Sequence, residues 1–316
     1  MKTPLVLKCG GELLETAGQR GRMAARIAAL AAERPLVVVH GGGRAIDAEL
    51  ARHDMAPRKI DGLRITDEAT RDVVVSVLAG SANTALVAAL VGLGVPAVGL
   101  TGVDAGFAPA TRASAYRAST GEDVDLGFVG DPVDAHPALI ELLIERGYVP
   151  VVASLGVEGG TVLNVNADVM AGRIAAALTN ADLVIAGATA GVLDGDRQVI
   201  VSLDADGIDR MIASGTATAG MIAKLEACRA ALLQGVRSVR IVDGADLVAG
   251  QSIGAARGTT VGLTEVTAGI ERLRPARSPQ PSAGAGAQAQ QRKDSESGRS
   301  VGGGQAPRAL TKGRRH

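Results

Sequence analysis

Two lysines, one aspartate and two glycine loops carry the chemistry this chain can do. Lys8 ends the apolar run Leu5–Leu7 and leads through Cys9 into Gly10 and Gly11. A second run, Leu36–Val39, leads through His40 into Gly41, Gly42 and Gly43. Glycines at the end of a strand let backbone N–H groups approach an anion with no side chain in the way. A helix starting behind them adds partial positive charge. A lysine closing an apolar strand is unusual, because an ammonium resists desolvation. Lys224 stands near the start of an Ala-rich helical stretch, and Asp168 ends the segment Asn164-Val165-Asn166-Ala167-Asp168. Phosphoryl transfer needs positive charge on the moving group and in-line geometry. Two lysines and two glycine loops supply both, and one aspartate between the lysines can hold the two ammoniums in place. Arg64, within Asp61–Asp67, offers a planar fork suited to a carboxylate.

Each feature also fits a plainer role. The glycines suit tight strand-to-helix turns. Lys224 suits an exposed helical position, and Arg64 a surface loop. Asn166 suits a helix N-cap, with Asp168 favoured in the first turn by the helix dipole. Neither loop is GxxxxGK[ST] or GxGxxG, so phosphate chemistry here would lie outside those two classes.

The elements that must position these residues alternate along the chain. Strands are predicted at Leu5–Lys8, Leu36–His40, Val95–Leu100, Val149–Ser154, Leu183–Ala186 and Val239–Val242. Helices are predicted at Arg22–Glu33, Arg44–His53, Asp67–Leu93, Pro137–Arg146, Ala167–Asn180, Gly220–Gln234 and Ala245–Gly250. Continuous apolar strands between amphipathic helices mean a mainly parallel sheet covered on both faces, with ligands beyond the carboxyl ends of the strands. Gly102–Asp131 reads as a hairpin-rich insertion.

Composition bounds the function. The 316 residues carry 33 Lys/Arg and 33 Asp/Glu, which argues against a general nucleic-acid or membrane binder. Only four aromatic residues argue against base stacking. Cys9 and Cys228 are far apart and form no metal or disulfide pattern, so no protein metal site is expected. No apolar run of membrane-spanning length free of Gly, Pro or charge occurs, and no signal-peptide layout precedes Leu5, so a cytoplasmic protein is expected. Residues 269–316 hold ten Lys/Arg against three Asp/Glu and few large apolar residues, which reads as a disordered basic tail outside a 1–268 domain.

KxGG at Lys8–Gly11, VHGGG at Val39–Gly43, DGLRxTD at Asp61–Asp67, NxNAD at Asn164–Asp168 and GMIxKLEA at Gly220–Ala227 resemble the acetylglutamate kinases of the amino-acid kinase family. Ala79–Asn83, Asp125–Gly130 and Gly258–Val261 fit the same pattern in the same order, and the resemblance covers roughly residues 3–263. It implies an α/β three-layer αβα sandwich with a mainly parallel central sheet. It implies transfer of the ATP γ-phosphoryl group to the side-chain carboxylate of N-acetyl-L-glutamate, the second step of arginine biosynthesis. Lys8 and Lys224 would be catalytic, with Asp168 organising them. Gly42, Gly43, Arg64, Asn164 and Asn166 would bind the acceptor in the N-terminal part, with Arg64 on its α-carboxylate. Gly10, Gly11, Thr189, Gly191, Val192, Leu193, Gly220 and Met221 would bind ATP, largely in the C-terminal part, and Gly10, Gly11 and Gly43 would donate N–H groups to phosphates. Mg2+ would arrive on the nucleotide.

The chain departs from the family pattern in places. Ala188 stands where the pattern has an aspartate near the nucleotide, and Ala223 replaces a proline. The short lead before Leu5 predicts a homodimer without arginine feedback. Two other activities remain open: a kinase for N-succinylglutamate or an aminoadipate derivative, and a non-catalytic amino-acid-binding module on the same fold, which Ala188 alone favours.

Overall fold

Five-residue runs of aliphatic side chains are satisfied only when both faces of the strand are buried. The computed structural model describes residues 2–263 apart from 114, 119–120, 218 and 248–255, and there these runs form the middle of an open sheet. In chain order the elements are β1 (Leu5–Cys9), α1 (Ala17–Glu33), β2 (Leu36–His40), α2 (Gly43–Arg52), β3 (Lys59–Ile60), β4 (Leu63–Arg64) and α3 (Glu68–Val75). A π-helical turn (Ser76–Ala82) leads directly into α4 (Asn83–Val91), followed by β5 (Ala97–Thr101), β6 (Ala110–Arg112), β7 (Tyr116–Arg117), β8 (Asp123–Val124) and β9 (Val129–Pro132). Then come α5 (Ala138–Glu145), β10 (Val149–Ala153), β11 (Leu155–Glu158), β12 (Thr161–Val165) and α6 (Ala167–Ala177). The last are β13 (Asp182–Gly187), β14 (Ser202–Leu203), α7 (Ala205–Ala213), α8 (Ala219–Leu233), β15 (Ser238–Asp243) and β16 (Gly258–Val261).

The central sheet has eight strands among the described residues, in the order β14-β16-β15-β13-β1-β2-β10-β5. From β15 to β5 every neighbouring pair is parallel, and β16 runs antiparallel to β15. On one face Met23 and Ile27 of α1 and Leu86 and Leu90 of α4 pack on Leu5, Leu7, Val38 and Val151. On the other, Ile140 of α5, Met170 and Ile174 of α6 and Leu225 of α8 pack on Val6, Val39 and Ile185. The result is a three-layer αβα sandwich. Successive strands lead one way from β1 to β2 and the other way from β13 to β15, so the strand order reverses between β1 and β13. Open α/β sheets bind ligands at such a point.

All six predicted strands are in this sheet. The short strands β14, at the edge, and β16, beside it, were not predicted, because two to four residues carry no readable period. Helix α7, capped by Asp204 accepting from Gly207 N, was also missed. Helix α1 starts five residues before the predicted Arg22. Thr16 and Gln19 form a reciprocal capping box there, at 3.2 and 2.9 Å. The predicted Asp67–Leu93 helix is continuous from Glu68 to Val91, with the π turn inside it. This helix is long and apolar enough to cross a membrane by length and composition, and its sheet-facing residues Leu86 and Leu90 are buried in the core. The hairpin-rich insertion holds β6 to β9, but β6 and β9 join β11 and β12 in a separate sheet, in the order β11-β12-β9-β6. Of the predicted Ala245–Gly250 helix, the described part is a 3-10 turn at Gly244–Asp246, and 248–250 lie outside the described residues. Residues 269–316 lie outside them as well.

At the end of the sheet away from the glycine loops, Asp182 is a buried charged anchor. It accepts from Arg34 at 2.7 Å, Arg237 at 2.6 Å and Ser238 Oγ at 2.8 Å. Burial raises its pKa, but the hydrogen bonds from Arg237 and Arg34 outweigh that and hold it below the usual carboxylate value. Its stabilising effect is therefore complete above the unfolded-state pKa, about 3.9, and is lost as pH falls through the lower folded value. Asp182→Asn should lower the melting temperature at neutral pH, and the gap to the parent chain should close below about pH 4. A gap independent of pH would assign the anchor a purely steric role.

Candidate active site

The carboxyl ends of β1, β2 and β12 and the first turns of α2, α6 and α8 converge on one cleft of about 510 Å3. Lys8 enters from β1, and its Nζ lies 2.8 Å from Asp168 Oδ1. Lys224 enters from α8, and its Nζ lies 3.0 Å from Asp168 Oδ2. One carboxylate thus carries an ammonium on each oxygen, and all three side chains are nearly buried. Burial pushes the Asp168 pKa up, yet the two lysines outweigh it and hold it at about 2. Burial likewise works against the charge of Lys8, and Asp168 reverses the balance, so its pKa is raised. The trio has a formal net charge of +1. The plainer reading of Asn166 and Asp168 holds at the same time. Asn166 Oδ1 caps α6 by accepting from Asp168 N at 2.8 Å, and Asp168 occupies the first turn.

The two glycine loops meet face to face. A Cβ on Gly11 would lie 3.3 Å from Gly43 N. Helix α2 begins at Gly43, so its first N–H groups have no partner within the helix, and Gly43 lines the cleft with Lys8. Gly10 corrects the expectation drawn from sequence. Its N–H extends the pairing of β1 with β13 and donates to Ala186 O at 2.8 Å, which takes it from any phosphate. Gly11 and Gly43 both line the cleft.

Arg64 is 7% exposed and lines the same cleft. Its Nη2 donates to Gly43 O at 3.1 Å and to Asp47, while its buried Nη1 has no hydrogen-bond partner. A buried guanidinium nitrogen left unpaired is costly, and its planar fork suits a carboxylate. Asn164 lines the same wall, its Nδ2 donating to Thr66 Oγ1 at 3.3 Å, and Gly42 and Asn166 also line the cleft. The β3–β4 and β7–β8 hairpins meet over it, with Tyr116 Oη donating to Asp61 Oδ2 at 3.1 Å. A Cβ on Gly62 would lie 3.9 Å from Gly220 Cα, so the first hairpin also reaches the start of α8.

The residues expected at the nucleotide lie on the β13 side of Lys8. Gly187 is half-buried, and Ala188 and Thr189 are exposed. Gly191 is buried against Thr259 with a φ of 133° that favours glycine. Val192 is a core residue. Its N–H donates to Thr259 Oγ1 at 2.8 Å and its C=O accepts from Ile200 N at 2.8 Å, so both its backbone groups are engaged. Leu193 and Met221 are half-buried, and Gly220 is exposed.

Two positioning groups escaped the sequence reading. Asp47 binds both Arg64 and Lys59, the latter at 2.6 Å, and so fixes the Arg64 fork. It sits one helical turn after Gly43, a spacing that could have flagged it. His40 is fully buried. Its Nδ1 lies 3.1 Å from Gly41 O, and its Nε2 3.0 Å from Asn83 Nδ2, which also donates to Val151 O at 2.8 Å. A carbonyl can only accept, so Nδ1 carries the proton and Nε2 accepts from Asn83. Burial holds His40 below its ordinary pKa, so the neutral ring orients the first peptide of the glycine loop. A Cβ on Gly99 would collide with Asn83 Oδ1, so a glycine is needed there to admit the amide. The π turn that precedes Asn83 leaves no mark in the apolar pattern.

A Lys–Asp–Lys trio beside two glycine loops, at the switch point of an αβα sandwich, has the chemistry that phosphoryl transfer needs. The model of the amino acid kinase family matches residues 3–243. The chain is 39% identical over 250 residues to acetylglutamate kinase of Methanopyrus kandleri, covering 78% of this chain and 97% of that protein. It is 41% identical over 266 residues to acetylglutamate kinase of Solibacter usitatus, covering 84% and 99%. Among solved structures, N-acetylglutamate synthase from Neisseria gonorrhoeae complexed with coenzyme A and N-acetyl-glutamate is similar with a TM-score of 0.68 and 25% identity. That match covers 82% of this chain and 59% of that one. The chain belongs to the amino acid kinase family and, within it, to the acetylglutamate kinases.

Arg64→Ala should raise KM for the carboxylate acceptor by roughly 30-fold, about 2 kcal/mol, with a smaller change in kcat. Asp47→Ala should raise the same KM less, because the fork remains but is no longer held. Steady-state kinetics of both variants against the acceptor checks this. Unchanged KM in both would move the carboxylate away from Arg64.

Proposed function

We infer that this chain transfers the γ-phosphoryl group of ATP to the side-chain carboxylate of N-acetyl-L-glutamate, giving the acyl phosphate and ADP in arginine biosynthesis. The observation that carries this is that Lys8 and Asp168 line one cleft with Arg64, whose Nη1 is unpaired, while Lys224 is paired to Asp168. A side-chain carboxylate is ionised at neutral pH, so the nucleophile needs no general base. The obstacle is instead repulsion between two anions, the acceptor carboxylate and the polyphosphate. In this mechanism a carboxylate oxygen attacks Pγ while the bond from Pγ to the bridging oxygen of ADP breaks. Lys8 and Lys224 offset the charge on the phosphoryl oxygens as the group moves. Asp168 holds both lysines and takes no proton. Gly11 and Gly43 donate N–H groups to the phosphates, while Arg64 and Asn164 hold the acceptor.

Mg2+ bound to the nucleotide would neutralise part of the phosphate charge. Mg2+ characteristically binds through substrate phosphates with one or two carboxylates, so it would enter with ATP. The acceptor side falls in the N-terminal part of residues 1–268 and the nucleotide side largely in the C-terminal part. A homodimer belongs to the same proposal. It is supported by the outer edge of β5, which pairs with no strand among the described residues, and by the small apolar residues Ala88 and Val91 exposed on the neighbouring α4. A cytoplasmic location is supported by the biosynthetic reaction.

Hydroxylamine trapping of the acyl phosphate with MgATP tests the reaction against N-acetylglutamate, N-succinylglutamate and N-acetylaminoadipate. Strong signal is expected with the first. Dominant signal with another would reassign the acyl pocket, and none from folded protein that binds an acyl amino acid would favour a binding module. Lys8→Ala and Lys224→Ala should each lower kcat by about 100- to 1000-fold. Near-normal turnover in either would remove that lysine from catalysis.

A further inference from the structure

Glu12 follows the first glycine loop, and the mechanism above gives it no part. Its side chain folds back over Gly10, where an added Cβ would lie 2.6 Å from the Glu12 carboxyl carbon. Its Oε1 accepts from Ala188 N at 3.2 Å, and a Cβ on Gly187 would lie 3.3 Å from that same oxygen. The carboxylate therefore spans the gap between the ends of β1 and β13, where the strand order reverses. Position 188, at the end of β13, is an alanine, and the carboxylate beside it comes from across the crevice.

Charge makes this placement informative. Lys8 and Lys224 carry two positive charges, and Asp168 and Glu12 carry two negative ones, so the four groups sum to zero. Glu12 is close enough to Lys8 to strengthen its hold on its proton. A free nucleoside diphosphate would bring its phosphate charge directly against the Glu12 carboxylate. A magnesium complex would not, because Mg2+ accepts one or two carboxylates together with phosphate oxygens and water. A carboxylate among glycines, with no bulky neighbour on the Gly10 and Gly187 side, has the donor chemistry this ion takes.

We propose that Glu12 is a ligand, directly or through one water, of the divalent cation that the nucleotide carries into the crevice between β1 and β13. This rests on the phosphotransferase reading and extends it, since it assigns the cation an anchor on the protein. It also makes this enzyme's nucleotide affinity depend on the cation through one identifiable residue.

Glu12→Gln tests the charge with little structural change, because the amide oxygen can still accept from Ala188 N. Isothermal titration of the full-length chain with ADP, once with excess EDTA and once with excess MgCl2, measures the preference for the magnesium complex without turnover. In the parent chain MgADP should bind more tightly than free ADP. In Glu12→Gln that preference should fall by about tenfold or more, with MgADP weakened and free ADP equal or tighter. The melting temperature should stay the same. An unchanged ratio would overturn the proposal. So would tightening of both forms together, which would make Glu12 a simple obstruction. A parent chain that binds neither form would remove the phosphotransferase reading itself, and with it the proposal.

Discussion

A single carboxylate clamped between two ammoniums organises this protein. Asp168 meets Lys8 of β1 on one oxygen and Lys224 of α8 on the other, so it ties the central strand to two helices at the carboxyl end of the sheet. Burying three charges is costly unless each is paired. Here the pairing is complete, and the trio keeps one positive charge in excess beside the glycine loops. The remaining architecture can be understood as the scaffold that holds these three groups together. The parallel sheet places Lys8 at its middle. Asn166 caps α6 and so fixes Asp168 in the first turn, and the packing of α6 against α8 brings Lys224 across.

The chemistry follows from that excess charge. An acyl phosphate forms when two anions are brought into contact, and neither needs a proton moved. A site built for this reaction needs cations and N–H donors in place of a base. The cleft has that composition: lysines, glycine-loop amides and an arginine fork with one nitrogen unpaired. Its second layer keeps these donors aimed. Asp47 steadies Arg64, and the neutral His40, oriented by Asn83, holds the peptide that opens the second glycine loop. Glu12 extends the same logic to the nucleotide, since a carboxylate in a phosphate crevice is tolerable only in company with a cation.

Burial and charge also explain where local reading of the sequence failed. Gly10 belongs to a glycine loop by pattern, yet its N–H completes the β1–β13 ladder, because strand pairing runs one residue beyond β1. Val192 lies within a nucleotide-side motif, yet its side chain is core and its backbone groups are paired. Strand β12 pairs with β9 of the insertion, and pairing between separate segments leaves no periodic trace.

The sequence by itself determined the alternation of apolar strands and helices, the two glycine loops at strand ends, and the identity of Lys8, Asp168, Lys224 and Arg64. Those are set by local chemistry, since apolar runs must be buried and anion sites need glycine and cations. Tertiary structure alone decided which groups face one another. It set Lys224 against Asp168 across 56 positions, Asn83 against His40 through a π turn, and Asp47 against Arg64. It also brought Glu12 to Ala188 across 176 positions. Contacts of that range depend on the crossing of elements and the register of strands, which no local pattern of residues encodes.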